Sequence, residues 1–138
     1  MVTKRELETI KKKLLRLEED LEGRLFIPVM KLEESFFETD EKGCHIPPEE
    51  QFVPVREGFL WGEEGKTGWF RSVVTVPPAA DGKVLFLRSH AGGYETLLWV
   101  DGQPFGTYAN KIIYTNHGNH YCCMIAKNAQ SGQKIRIA

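Results

Sequence analysis

Residues 92–106 read GGYETLLWVDGQPFG, and the reading of this stretch decides the fold. Its glycines invite comparison with loops that cradle phosphate. Neither Gly92-Gly93 nor Gly102 fits G-x-G-x-x-G or G-x-x-x-x-G-K-[ST], and no helical pattern follows to offer its N–H groups to an anion. Asp101-Gly102 lies instead between two apolar runs. Both residue types tolerate positive φ, which a two-residue hairpin turn requires. The stretch therefore reads as two antiparallel strands and a tight turn.

The same punctuation extends outward. GWFRSVVTV (68–76), KVLFLRSH (83–90), ETLLWVD (95–101), KIIYTN (111–116), HYCCMIA (120–126) and KIRIA (134–138) are apolar or β-branched runs bounded by turn residues. No helical period separates them, so the expected fold is mainly β, an antiparallel β-sandwich of jelly-roll type. Phe70, Val74 and Val76 share one face of their strand, while Arg71, Val73 and Thr75 share a wetter one. Leu97-Leu98-Trp99-Val100 and Ile112-Ile113 are apolar on both faces. A two-layer sandwich needs only one apolar face per strand, so these predict a second covering surface, from the N-terminal helix or a further domain. KIRIA stops in mid-strand, which leads to the expectation of an incomplete sandwich cut from a longer protein.

Residues 1–24 carry the one clear helix. Leu7, Ile10, Leu14, Leu17 and Leu21 recur at three- and four-residue spacing. Thr3 and Glu6 form a capping-box pair at its start, and Gly23 is expected to stop it. Docking of this stripe on the chain's own domain is preferred over a short coiled coil. Residues 25–60 scatter single apolar residues among Pro28, Pro47, Pro48 and Pro54, and read as an irregular linking segment with at most one short strand. Residues 61–138 form the sandwich.

Composition bounds the function. The 138 residues are 41% hydrophobic and 27% charged, the balance of one globular domain. Eighteen basic and nineteen acidic residues leave a net charge of −1, which argues against a nucleic-acid partner. No apolar run approaches the ~18 residues of a membrane span, so no membrane partner is expected. The start MVTKRELETIKKK lacks the apolar core of a secretory signal, and three cysteines do not make a disulfide framework. A cytoplasmic location with reduced thiols is the expectation.

Cys44-His45, His117, His120, Cys122 and Cys123 are the right types for zinc, but adjacent Cys122 and Cys123 project to opposite faces of a strand. No cofactor or metal is therefore expected in this chain. Nothing local marks a cysteine as an activated nucleophile, and neither G-x-S-x-G nor H-E-x-x-H occurs, so no catalytic residue is assigned. The aromatic residues offer a sugar-stacking surface or ordinary packing, with packing the default for mid-strand Trp99. Tyr94 and Tyr108 lie beside turns and are expected to be exposed. With Trp61 they are the candidate carbohydrate-binding residues.

WGEEGKTGWFRSVVTVPP (61–78), followed by GKVLFLRSHAGGYETLLWVDGQPFG (82–106), resembles the N-terminal region of glycoside hydrolase family 38 α-mannosidases. The shared features are a Trp-Gly, a Trp-Phe strand ending in Val-Pro, a Gly-Lys strand, and a Gly-Gly turn leading into LLWVDG-P-G. The charged helix occupies the place of a helix in that family. A similar layout occurs in the sugar-binding-like sandwich of family 2 glycosidases, the second resemblance. Either implies a galactose-binding-domain-like sandwich. The family 38 resemblance implies a parent that removes terminal α-mannose, using an Asp nucleophile and a divalent metal, usually zinc. Its catalytic domain opens on an H-x-H-x-D-x-x-W motif that this sequence lacks. The implied role is an accessory sandwich that packs on its own catalytic domain. A mannose-containing oligosaccharide is the implied ligand.

Overall fold

The computed structural model describes residues 3–43, 45–89, 91–92, 95–109 and 120–138. The expected strand 111–116, Tyr94, Cys44 and His117 lie outside the described residues. The chain divides into two units, Met1–Met30 and Lys31–Ala138.

The first unit is helix α1, Lys4–Leu25. Its capping box forms as the sequence requires. Glu6 N donates to Thr3 Oγ1 at 3.3 Å, and Thr3 N donates to Glu6 Oε2 at 2.7 Å. The bonds that Thr3 N and Thr3 Oγ1 donate to the Glu6 carboxylate hold its pKa below the ordinary value. The helix continues through Gly23 to Leu25, so Gly23 is helical and not the expected stop. Within this unit the stripe from Leu7 to Leu21 stays exposed.

The second unit is mainly β. It contains β1 (Glu34–Thr39), β2 (Val53–Val55), β3 (Thr67–Thr75), β4 (Leu85–Arg88), β5 (Glu95–Val100), β6 (Gln103–Ala109), β7 (Cys122–Ala126) and β8 (Lys134–Ile137). One antiparallel sheet runs β2-β1-β3-β8-β5-β6, and a second pairs β4 with β7. The sheets meet at an edge, where Ala109 and His120 exchange backbone hydrogen bonds of 3.0 and 3.1 Å. The sequence-based expectation of an antiparallel, mainly β fold with one N-terminal helix describes what is found.

The core lies between the sheets. Val74, Val76, Leu98, Ile135 and Ile137 meet Leu85, Leu87 and Cys123 there. Alternation along β3, continued at Val76 just past its end, puts Ser72, Val74 and Val76 inward and leaves Val73 exposed, as the one-sided pattern predicts. Pairing of β3 with β8 sets Val74 against Ile135 and Ser72 against Ile137, so both strands bury the same face.

Two expectations are corrected. Residues 25–60 are not a linker. They supply β1 and β2, and β1 pairs with β3 over five positions from Ser35–Arg71 to Thr39–Thr67. The two-sided strand does not require another domain at Trp99. Leu98 and Trp99 are both buried on opposite faces of β5. Trp99 meets the Trp69 ring at 6.4 Å, and Ile46 and Pro47 line the same hollow. The segment read as a linker thus provides the outer cover. Leu97, on the same face, stays half exposed.

Candidate functional site

Trp61 is a packing residue. Its indole Nε1 donates to Ala91 O at 2.8 Å. Its ring lies 5.7 Å from Phe36 and 5.4 Å from Phe70, and Phe59 joins Phe36 at 5.0 Å. Gly68 sits beneath it, with room for a hydrogen only. These neighbours hold Trp61 half-buried, its ring engaged by other aromatic side chains.

Tyr108 is not exposed as its position beside a turn suggested. It is 4% exposed and donates its hydroxyl to Leu87 O at 3.1 Å, which ties β6 to β4. The reason is alternation: Tyr108 shares its strand face with Gly106, turned into the core. Burial pushes its phenol well above the ordinary tyrosine value, with Cys123 and Cys122 adding to the shift. Of the three aromatic candidates, the structure therefore engages Trp61 and Tyr108 in packing, while Tyr94 is outside the described residues.

Beside Tyr108, Cys123 Sγ stands 4.0 Å from His120 Nε2. The thiol is buried and faces Thr107 O at 3.9 Å. Neighbouring Cys122 has its pKa raised by desolvation and by Cys123, against the opposing charge of Arg88. A thiol whose pKa is raised ionises less readily and is a poorer nucleophile. Among the described residues no three His, Cys, Asp or Glu side chains converge on one point.

The distinctive feature is a slot in the large sheet, which periodicity could not reveal because it depends on the register of distant strands. β8 is flanked by β3 and β5, antiparallel to both. It pairs with Ser72–Thr75 of the nine-residue β3, and its last rung to β5 joins Trp99 and Ala138. Beyond that rung, Thr67–Arg71 of β3 and Glu95–Leu98 of β5 face each other with no strand between them among the described residues. Their other edges are occupied, by β1 and β6 respectively. A cavity of about 110 Å³ lies here, lined by Gly68, Phe70, Thr96, Leu98, Ile137 and Ala138 among others. On the outer face the Trp69 and Trp99 rings approach across the same gap.

A second hollow, of about 280 Å³, opens on the outer face beside Ala138 and contains Arg71, Arg136 and Trp99. Arg71 is committed: its Nη2 pairs with Glu49 at 2.9 Å and its guanidinium lies 5.9 Å from the Phe52 ring. The pair anchors the 46–52 segment over β3.

Comparison of the chain with protein-family models, with curated proteins and with solved structures finds no match.

Proposed function

We propose that this chain is the non-catalytic N-terminal sandwich portion of a larger glycosidase of the α-mannosidase type. Its role is to pack on the catalytic domain. The reading is carried by one observation: the resemblance of residues 61–78 and 82–106 to that family's N-terminal region. Those stretches form β3, β4 and the β5–β6 hairpin, all within the one β unit. In this reading the carboxylates and divalent metal belong to the missing domain. Retaining hydrolysis needs two carboxyl groups about 5 Å apart. In this reading the parent is a cytoplasmic enzyme.

The direct test is the reading frame beyond Ala138. An H-x-H-x-D-x-x-W motif downstream is expected, and a frame that continues without one overturns the proposal. The purified chain should not turn over an aryl α-mannoside, with or without added zinc. Metal-dependent turnover by the chain alone would refute the accessory role.

A stand-alone carbohydrate-binding module is the second reading. It is less well supported because Trp61 and Tyr108 are engaged in packing. Titration with mannose and mannobiose, followed by tryptophan fluorescence, separates the two. A flat response favours the accessory reading, and saturation favours the binding module.

A further inference from the structure

We propose that α1 docks on the same helix of a second copy of this chain, the two running parallel and in register as a short coiled coil. The inference stands on α1 alone and does not depend on the glycosidase reading.

Spacing defines the seam. Leu7, Ile10, Leu14, Leu17 and Leu21 alternate intervals of three and four residues, the heptad period, with Leu7 at an a position and Ile10 at the d position that follows. All five side chains are 46–59% exposed. The helix has 22 residues, three heptads, and its first turn is closed by the capping box. A helix of this length draws most of its stability from covering its apolar face, so the seam calls for a partner. Apolar spacing alone does not choose between the chain's own domain and a second helix. The charges beside the seam do.

The g positions are Glu6, Lys13 and Asp20. The e positions after the first are Lys11, Glu18 and Leu25. In a parallel pair each g residue lies beside the e residue five positions later on the other helix. Glu6 then meets Lys11 of the second copy, and Lys13 meets its Glu18. Two-fold symmetry repeats both pairs, so all four contacts join opposite charges. Asp20 falls beside Leu25 and opposes no charge. Each layer from Leu7 to Leu21 packs on its own equivalent, and Arg24, at the next d position, ends the seam one residue before the helix ends.

The opposite orientation fits less well. Antiparallel helices set g beside g and e beside e. With Leu14 opposite Leu17 the charges again agree, Lys13 with Asp20 and Lys11 with Glu18, but Leu7 then faces Arg24 at both ends. Shifted one heptad, so that Leu7 meets Leu17, Lys13 faces Lys13, Lys11 faces Lys11 and Glu6 faces Asp20. Of these three arrangements only the parallel one satisfies seam and charge together. Leucine at a with isoleucine at d also suits bundles of three or four helices. Such bundles cover more of the e and g flanks, and burying the charges carried there is costly, which favours two helices.

The test is sedimentation equilibrium of the full chain under reducing conditions. A mass of twice 15.8 kDa is expected. Leu14→Lys should return the chain to a monomer and leave the emission of its three tryptophans, all in the β unit, unchanged. Lys13→Glu alone and Glu18→Lys alone each set like charges across the same contact and should weaken association about tenfold. The double variant restores opposite charges in the parallel pair and should recover the original affinity. In an antiparallel pair it recovers nothing, because the exchanged charges there meet Asp20 and Lys11. Glu6 is left unchanged because its Oε2 accepts both capping bonds. A monomeric chain, the result if the seam is covered by its own β unit, overturns the proposal. So does a dimer that survives Leu14→Lys. A double variant weaker than either single one overturns the parallel arrangement, and a mass of three or four chains overturns the pairing of two.

Discussion

The ring of Trp61 lies so close over Gly68 that a β-carbon at residue 68 would stand 2.5 Å from Trp61 Cζ3 and 2.9 Å from Phe36 Cε2. Two rigid rings cannot both give way. Gly68→Ala should therefore lower stability by about 1–3 kcal/mol, the usual penalty for overfilling a packed site. In a Trp61→Leu background the same change should be milder, because the closest atoms are gone. Urea midpoints of the four proteins of this cycle provide the measurement. Additive effects would show that Trp61 is not what excludes a side chain at residue 68.

The difference between Trp61 and the hairpin explains how much was legible in the sequence. The Asp101-Gly102 turn and the Thr3–Glu6 capping box use groups a few residues apart, so local chemistry reveals them. Strand β1 does not announce itself. In Glu34–Thr39, Phe36 and Phe37 are adjacent and flanked by polar residues, so no alternation appears. Both are engaged because β1 has aromatic neighbours on both faces: Phe36 meets Phe59, Trp61 and Phe70, and Phe37 meets Phe52. These partners are set by pairing with distant β3. The burial of Tyr108 and the slot were hidden for the same reason, since each depends on which strands become neighbours.

The hairpin turn yields its own prediction. Asp101 has φ 49° and Gly102 φ 79°, the left-handed pair that a tight hairpin needs. Asp101 also accepts from Arg136 N through Oδ1 at 2.9 Å, so its side chain fixes β8 against the turn. Gly102→Ala should cost about 1–2 kcal/mol from backbone strain alone, since space is open there. Asp101→Asn keeps an acceptor and tolerates the conformation, so it should be nearly neutral. Asp101→Ala should cost more than Asp101→Asn in thermal melts. Equal losses for Asn and Ala would remove the hydrogen bond from the account.

Alkaline pH should weaken the fold, and the sign follows from Tyr108 and Cys122. Both groups have folded-state pKa values above their ordinary 10.0 and 9.0, with burial the largest cause. The folded chain therefore keeps protons that the unfolded chain releases. The stability linked to them is fully present below about pH 9 and is lost as pH rises through the elevated folded values. Urea midpoints should fall through this alkaline range, first from Cys122 and then from Tyr108. Tyr108→Phe should lose about 0.5–1.5 kcal/mol at pH 7, where it gives up the bond to Leu87 O, and should show a shallower alkaline decline. An unchanged slope in Tyr108→Phe would mean that other groups carry the alkaline effect.

Trp61 and Trp99 should differ in how much they lose to the same substitution. Trp61 Nε1 donates to Ala91 O at 2.8 Å, so Trp61→Phe loses a satisfied hydrogen bond worth about 0.5–1.5 kcal/mol net, along with ring area. Trp99 is 9% exposed, and its Nε1 is buried without an acceptor among the described residues. Such an unpaired donor costs about 1–3 kcal/mol, which Trp99→Phe removes while keeping an aromatic ring beside Trp69. Relief of that penalty offsets the lost packing, so Trp99→Phe should be close to neutral and Trp61→Phe clearly destabilising. Complete removal of either ring, by contrast, should cost about 3–5 kcal/mol. Chemical denaturation of the two phenylalanine variants side by side decides the matter. If Trp99→Phe proves the more damaging, the indole N–H of Trp99 has a partner in solution, and the hollow beside Arg71 and Arg136 is where that partner should be sought.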